Sequence, residues 1–286
     1  DVAALADVTA ECSVDSLTAP TATDNCAGVI TGTTTTVLPI TAQGTTVVTW
    51  TYEDANGNIS TQTQNVVLTD TTAPVFTTSP TDVTVECDAD TTSTALGTAD
   101  ATDNCDTSVA ITYADTTVAG TGNNSVITRV WTADDNNGNV STYTQTITIE
   151  DTTAPVTDVA ALADVTAECS VDSLTAPTAT DNCAGVITGT TTTVLPITAQ
   201  GTTVVTWTYV DANENITTQT QNVVIDDVTA PVVTSSPASV TVECDASTDT
   251  SATGTAVASD NCGGDVTMTS ADTTVAGEGN NSVITR

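Results

Sequence analysis

Residues 1–52 recur without a single substitution at 158–209, and the likeness continues into VTVECDA, present at both 83–89 and 240–246. A chain that repeats itself in this way builds the same small unit more than once, so its fold is decided by what one unit can bury against itself and its neighbours. Each period holds two related but unequal halves, marked by TAPV at 72–75, 153–156 and 229–232. The proline removes a ladder donor and disfavours helix in the residue before it, as expected of a short extended linker. The sequence therefore predicts four domains, at 1–72, 73–153, 154–229 and 230–286. The fourth stops at Arg286, the counterpart of Arg129, ahead of any equivalent of VWTADDNNGNVSTYTQTITIED. Two expectations follow: a window on a longer array, or a neighbouring molecule that supplies the absent strands, with a cut after arginine fitting such processing.

Inside a domain the clearest pattern is TTVVTWTYED at 45–54, where Val48, Trp50 and Tyr52 fall on one face, followed after a turn by ISTQTQNVVLTD. The second domain offers NSVITRVWTADD, a turn, and VSTYTQTITIED, with Trp131 aligned to Trp50. Period-two alternation around a turn is a hairpin, and 71 of the 286 residues are threonine, whose β-branch suits a half-buried strand. No helical periodicity competes. The expected fold is all-β: tandem immunoglobulin-like antiparallel β-sandwich domains in an elongated array. Eight aromatic residues serve the whole chain, so the cores are thin and small domains of this kind need added staples.

Thirty-six acidic residues face two arginines, with no lysine and no histidine, for a net charge of -34. Repulsion on this scale is tolerated when the charges stay hydrated, are screened, or bind cations. Nucleic acid and anionic membranes are therefore not expected partners. No stretch approaches the roughly 20 apolar residues that cross a bilayer, and DVAALADVTA lacks the basic and apolar regions of a signal peptide. Catalysis is not expected either: there is no histidine or lysine to act as acid or base. Carboxylate pairs such as Asp134 and Asp135 recur without a cleft-forming insertion or an aromatic sugar platform.

The eight cysteines fall two to a domain: Cys12 and Cys26, Cys87 and Cys105, Cys169 and Cys183, Cys244 and Cys262. If every unit folds alike, each closes its own pair, in loops stabilised by roughly 3 kcal/mol on the chain-entropy estimate. That places the chain in an oxidising, extracellular setting. A zinc site is the competing reading, but there is no CxxC and no histidine to complete a tetrahedron.

APTATDNC, GTTVVTWTYEDANGN and DTTAPV, in that order, resemble the hyalin (HYR) repeat, an immunoglobulin-like sandwich. The resemblance implies tandem units of the kind found in the stalks of large secreted surface proteins and adhesins of bacteria, Bacteroidota among them. Many such units carry a further cysteine in the acidic turn, where this chain has Ala55, Asn136 or Ala212. The departure removes a second disulfide and makes a metal ion a candidate source of compensating stability.

Those turns are DANGN at 54–58, DNNGN at 135–139 and DANEN at 211–215. Ca²⁺ takes six to eight oxygen ligands, and Asp54, Asn56 and Asn58 supply three such groups in five residues. The turn is not an EF-hand, since Ile59 and Asn65 stand where glycine and glutamate belong. In a sandwich, the last hairpin lies beside the loop after the second strand and beside the incoming linker. That groups Asp103 and Asn104 with Asp134, Asp135, Asn137, Asn139 and linker Asp70, and groups Asp181 and Asn182 with Asp211, Asn213, Asn215 and linker Asp151. Glu86 and Glu168 are possible extra ligands, and Asp24, Asn25, Asp227 and Asp260 complete the candidate set. The plainer alternative is that Asp and Asn-Gly are ordinary hairpin residues. Glu214, standing where Gly57 does, suggests that such sites differ in strength.

Covalent glycans are a further possible partner. Asn123 and Asn280 head acceptor triplets, and Ser16, Thr71, Thr91, Thr116, Thr152, Ser173 and Thr273 lie in DSL or DTT triplets resembling the O-glycosylation motif of Bacteroidota. The expected function is a structural stalk or fibre segment, with self-association as the main partnership. The alternative is a multivalent adhesive module that binds a cell-surface or glycan ligand through exposed loops.

Overall fold

The computed structural model describes residues 4–286. Two compact units divide the chain, Asp1–Asp151 and Thr152–Arg286. The architecture is nearly all-β, with single helical turns α1 (Ser93–Leu96) and α2 (Thr250–Thr253) as the exceptions. Among the described residues no helix is long and apolar enough to cross a membrane.

In the first unit the leading strands are β1 (Val8–Ala10), β2 (Thr21–Asp24), β3 (Gly28–Thr31), β4 (Gly44–Glu53) and β5 (Ile59–Leu68). They form a β1-β5-β4 sheet and a β2-β3 pair. β4 and β5 are the hairpin expected from the alternation, in register from Gly44↔Leu68 to Glu53↔Ile59. Val48, Trp50 and Tyr52 are buried together with Val14, Ile40, Val66 and Leu68. The polar tips of the two aromatics are satisfied across the strand: Trp50 Nε1 donates to Gln64 Oε1 (3.1 Å) and the Tyr52 hydroxyl to Gln62 Oε1 (2.9 Å). Gln64 Nε2 in turn donates to the Ala6 carbonyl, so the amide ties the opening segment to the hairpin. Gly32 lies under the ring of Tyr52, where a Cβ would come within 3.1 Å of the ring.

The expected all-β class of tandem immunoglobulin-like sandwiches holds, and the expected antiparallel pairing is corrected at one short strand in each of the first three domains. β1 pairs with β5 in parallel, Val8 opposite Val66 and Ala10 opposite Leu68. The second half of the unit repeats this with β6 (Val75–Thr78), β7 (Val83–Val85), β8 (Asp100–Thr102), β9 (Ala110–Ala119), β10 (Ser125–Asp134) and β11 (Val140–Ile149). The sheet order is β7-β11-β10-β9, β6 pairs with β8, and β7 lies parallel to β11. A short early strand running with the last one carries the residues after it to the pole where the chain leaves the domain.

The second unit opens with β12 (Val156–Thr157), β13 (Val165–Ala167), β14 (Thr178–Asp181), β15 (Gly185–Thr188), β16 (Gly201–Val210) and β17 (Ile216–Ile225). β13 again pairs in parallel with β17, around a core of Val171, Ile197, Val205, Trp207, Tyr209, Val223 and Ile225. It closes with β18 (Val232–Ser235), β19 (Val257–Ser259), β20 (Thr273–Ala276) and β21 (Ser282–Thr285), paired as β18-β19 and β20-β21.

The two arginines are structural clamps. Arg129, 2% exposed, donates from Nε and Nη2 to the carboxylate of Asp115 (2.8 and 2.9 Å) and from Nη2 to the Thr91 carbonyl. Its guanidinium also lies 4.5 Å from the Tyr113 ring centroid. Arg286 repeats the arrangement with Asp272 and the Thr248 carbonyl. The hydrogen bond from Arg129, reinforced by its charge, holds the Asp115 carboxyl below its ordinary value. A carboxyl so depressed stabilises the fold above its unfolded pKa and loses that contribution as pH falls through the folded one. Arg129 is buried but Asp115 is exposed, so Asp115→Asn should cost about 1.5–3 kcal/mol at pH 7, the range for hydrogen bonds to a charged group. In urea denaturation the gap between variant and parent should shrink as pH drops below about 4, toward protonation of Asp115.

Candidate metal centre

The five-residue turn that opened the calcium question is first of all a structural turn. Asp54 Oδ1 accepts from the backbone N–H of Asn56 and of Asn58 (both 2.8 Å), and Oδ2 from Asn58 Nδ2 (2.8 Å). Asp211 is used in the same way by Asn213 and Asn215. An aspartate that gathers the backbone N–H groups of its own turn is the reason for its place at the first position. The Asn58 amide and then its backbone N–H hold the Asp54 carboxyl below its ordinary value.

At the junction inside the first unit the turn does more. β11 starts at Val140 and β8 ends at Thr102, which sets the β10–β11 turn and the β8–β9 loop at the same pole, beside the linker between β5 and β6. Asp70, Asp103 and Asp135 there present carboxylate oxygens within 4.8 Å of one another. Asp70 is 6% and Asp135 1% exposed. Asp135 Oδ1 accepts from the N–H of Asn137 and Asn139, and Oδ2 from Asn139 Nδ2. Burial pushes its carboxyl upward, but the bonds from the Asn139 amide and the turn's backbone N–H groups outweigh it and leave the group below its ordinary value. Asn137 Nδ2 reaches Asp70 Oδ2 (3.3 Å), and Asn139 Nδ2 the Asp70 carbonyl (3.1 Å). Asp103 Oδ1 accepts from the N–H of Cys105 and Asp106, while its Oδ2 is shielded from solvent and has no donor. Three carboxylates converge here with neutral donors alone, an arrangement that a hard, oxygen-seeking cation fits.

Other residues expected at this centre go elsewhere. Asp134 Oδ1 accepts from the Asn136 N–H, and the Asn104 amide donates to Glu11 Oε2 (3.1 Å) and toward the sulfurs of Cys12 and Cys105. Glu11, absent from the expected set, closes the junction from the first domain by accepting from the hydroxyls of Thr71 (2.6 Å) and Thr72 (2.9 Å). Those bonds, Thr71's first, hold its carboxyl below its ordinary value. The signal was present, since Glu168 occupies the same place in the identical repeat. Glu168 is held alike, by Thr229 and Asn261. Near it, Asp227, Asp260 and Cys262 form a second group with ligating atoms within 4.8 Å.

Asp24 spends Oδ1 on the N–H groups of Cys26 and Ala27, and Asn25 is exposed. In the second unit Asp181 and Asp211 bring oxygens within 4.8 Å at 4% and 8% exposure, and Asp181 Oδ2 has no donor. Asp151, 5% exposed, ends the first unit with its N–H donated to Asn124 Oδ1; Glu86 is half-buried, and Asn182 is exposed.

The disulfides overturn the expected pairing. Cys12 bonds to Cys105 and Cys169 to Cys262, each across 93 residues. Cys12–Cys26, Cys87–Cys105, Cys169–Cys183 and Cys244–Cys262 do not form. Cys87 and Cys183 are disulfide-bonded, whereas Cys26 and Cys244 are exposed free thiols. The reason is the parallel first strand. Cys12 follows β1 to the pole where β5 ends, while Cys26 sits by the β4–β5 turn, a ten-residue strand or roughly 33 Å away. A disulfide requires its Cα atoms within about 7 Å. Across the linker the poles meet, and Cys12 and Cys105 have Cα atoms 4.7 Å apart. Closing so long a loop is worth about 4.6 kcal/mol on the chain-entropy estimate.

Of the glycosylation candidates, Ser16, Thr71, Thr116, Thr152, Ser173, Thr273 and Asn280 are exposed, while Thr91 and Asn123 are partly buried. Three further acceptor triplets, NIS at 58–60, NVS at 139–141 and NIT at 215–217, have their asparagine amides committed to Asp54, Asp135 and Asp211.

A family model for the HYR-like domain with 4 cysteines matches residues 1–68 and 75–149, half of the chain, and the chain belongs to that family. No curated protein matches it significantly. Similar solved structures include Drosophila N-cadherin EC1-4, at 14% identity over 72% of this chain and 63% of that one, with a TM-score of 0.29. Protocadherin Gamma B2 extracellular domains 1-5 follow at 16% identity, 68% and 48% coverage and a TM-score of 0.28. The human desmocollin-1 ectodomain gives 14%, 74% and 53%, and 0.26. The chain spans about half to two thirds of these structures, and nothing at the site is read from them. Disulfides and family membership together point to an extracellular protein.

Glu214 takes φ 70°, the left-handed conformation that Gly57 adopts freely in the first turn at φ 82°. A residue with a Cβ loses about 1 kcal/mol or more there. Glu214→Gly should raise the unfolding free energy by about 1 kcal/mol, read from the urea midpoint at constant slope.

Proposed function

We propose that the chain is a segment of an extracellular stalk or fibre on a bacterial surface, with its domain junctions stiffened by disulfides and Ca²⁺. The observation that carries this reading is the convergence of Asp70, Asp103 and Asp135 at the first junction, two of them buried and the third with an unsatisfied oxygen. Asp70 belongs to the linker, and Asp103 and Asp135 to two loops of the following domain. A cation shared by them would fix the linker against that domain. The Asn137 and Asn139 amides already face the group, and a half-turn of either would offer its oxygen in place of its nitrogen. The role is mechanical and not catalytic, in keeping with a motif repeated along the chain.

Millimolar Ca²⁺ should raise the melting temperature of the intact chain by about 5 °C or more over the value in chelator. Small-angle scattering should show a longer maximum dimension with the ion than without it. Asp103→Asn, which removes the unsatisfied carboxylate oxygen, should abolish most of the calcium-dependent shift while leaving the chelator-treated protein unchanged. Identical melting and scattering curves in calcium and chelator would refute the reading.

A further inference from the structure

We propose that Asn56 is a modification site, at which the side-chain amide converts spontaneously to a carboxylate through attack by the backbone nitrogen of Gly57. The inference goes beyond the calcium reading and does not depend on it. Asn-Gly steps occur twice in the chain, at 56–57 and 137–138, both inside the acidic turns. The matching turn of the third domain has Asn213 followed by Glu214. The reaction needs an asparagine side chain free to swing over its own backbone, a following nitrogen that no side chain crowds, and water. Asn56 is exposed, and although its backbone N–H is held by Asp54 Oδ1, its side-chain amide makes no hydrogen bond among the described residues. Gly57 has open space around its Cα, and its N–H donates to the Asp54 carbonyl at 3.1 Å, a bond the reaction gives up.

The other two turns supply internal comparisons. Asn137 also precedes a glycine, but its Nδ2 donates to Asp70 Oδ2 (3.3 Å) and to the Asp135 carbonyl (3.2 Å). Both bonds oppose the rotation that the reaction requires, and the one to a carboxylate is of the stronger kind. Asn213 is followed by a residue whose side chain crowds the attacking nitrogen. That side chain stays in place although Glu214 takes the left-handed conformation at φ 70°, where glycine is the easier choice. One turn of the three is therefore open to the chemistry, one is held, and one is blocked.

In the first step the Gly57 nitrogen loses its proton to base in solution and bonds to Asn56 Cγ. A five-membered succinimide closes as the side-chain nitrogen takes up a proton and leaves as ammonia. Water then opens the ring. Addition at Cγ restores the ordinary backbone with an aspartate at position 56, and addition at the backbone carbonyl leaves the chain running through the side chain as isoaspartate. One water is consumed and one ammonia released. Either product adds a negative charge beside Asp54 to a chain already at -34. The isoaspartyl form also lengthens by one backbone atom the turn that sets the β4–β5 register at Glu53↔Ile59, in the hairpin that buries Trp50 and Tyr52.

The test incubates the full, folded chain in mildly alkaline buffer with chelator present, so that no bound calcium contributes. Peptide mapping by mass spectrometry reads the conversion of amide to acid at each asparagine, and enzymatic methylation of isoaspartate reads the rearranged product. Asn56 should convert at least about tenfold faster than Asn137, the rate ratio expected from one hydrogen bond to a charged acceptor, and faster than Asn213. In the urea-denatured chain, where the contacts of Asn137 are gone, Asn56 and Asn137 should react at similar rates. Asn56→Ser, at an exposed position, should remove most of the isoaspartate formed by the folded chain. The proposal is overturned if Asn56 and Asn137 convert equally fast in the folded chain, if Asn56 is no faster than Asn213, or if the isoaspartate signal survives in Asn56→Ser.

Discussion

The parallel pairing of one short early strand with the last strand, repeated in the first three domains, governs the rest of the structure. Val8 opposite Val66, Val83 opposite Ile147 and Val165 opposite Val223 start the same arrangement three times. It sends the chain after the first strand toward the pole where the domain ends. The first cysteine and the glutamate before it then belong to the following junction, and the second cysteine to the preceding one. A disulfide that might have stapled a thin sandwich internally instead fastens neighbours together, and internal stability falls to the hairpin core and its glutamine-satisfied aromatics.

The hairpins were legible because their determinants are local. Alternation placed Val48, Trp50 and Tyr52 inward, and the Asp and Asn-Gly residues marked the turn between β4 and β5. The parallel first strand was not legible, because three residues of β1 pair with partners 58 positions away and carry no periodicity of their own. Once that pairing was missed, the assignment of two cysteines to each domain led to the wrong bonds. Symmetry within one domain is a weaker guide than continuity between domains when the poles are a full strand length apart.

The candidate site shows the same division. Spacing within DNNGN brought Asp135, Asn137 and Asn139 together, since one turn of chain suffices. Asp70 and Asp103 joined them through the general geometry of a sandwich. Sequence reasoning could not tell which carboxylate oxygens already hold donors: Asp54, Asp135 and Asp211 each organise their own turn, and Asn104 is drawn toward Glu11. Carboxylate count overstated the ligands on offer, and the oxygen left over on Asp103 is visible only in three dimensions.

The net charge gives these junctions their character. Both arginines are committed, Arg129 to Asp115 and Arg286 to Asp272, and there is no lysine or histidine to take their place. The donors around Asp70, Asp103 and Asp135 are amides and backbone N–H groups, which satisfy lone pairs without cancelling charge. Repulsion among the three is therefore relieved by protonation or by ions from the surrounding solution. At the pH where carboxylates are ionised, ions from solution are the remaining source of opposite charge, while the Cys12–Cys105 disulfide beside the group joins the two domains independently of it.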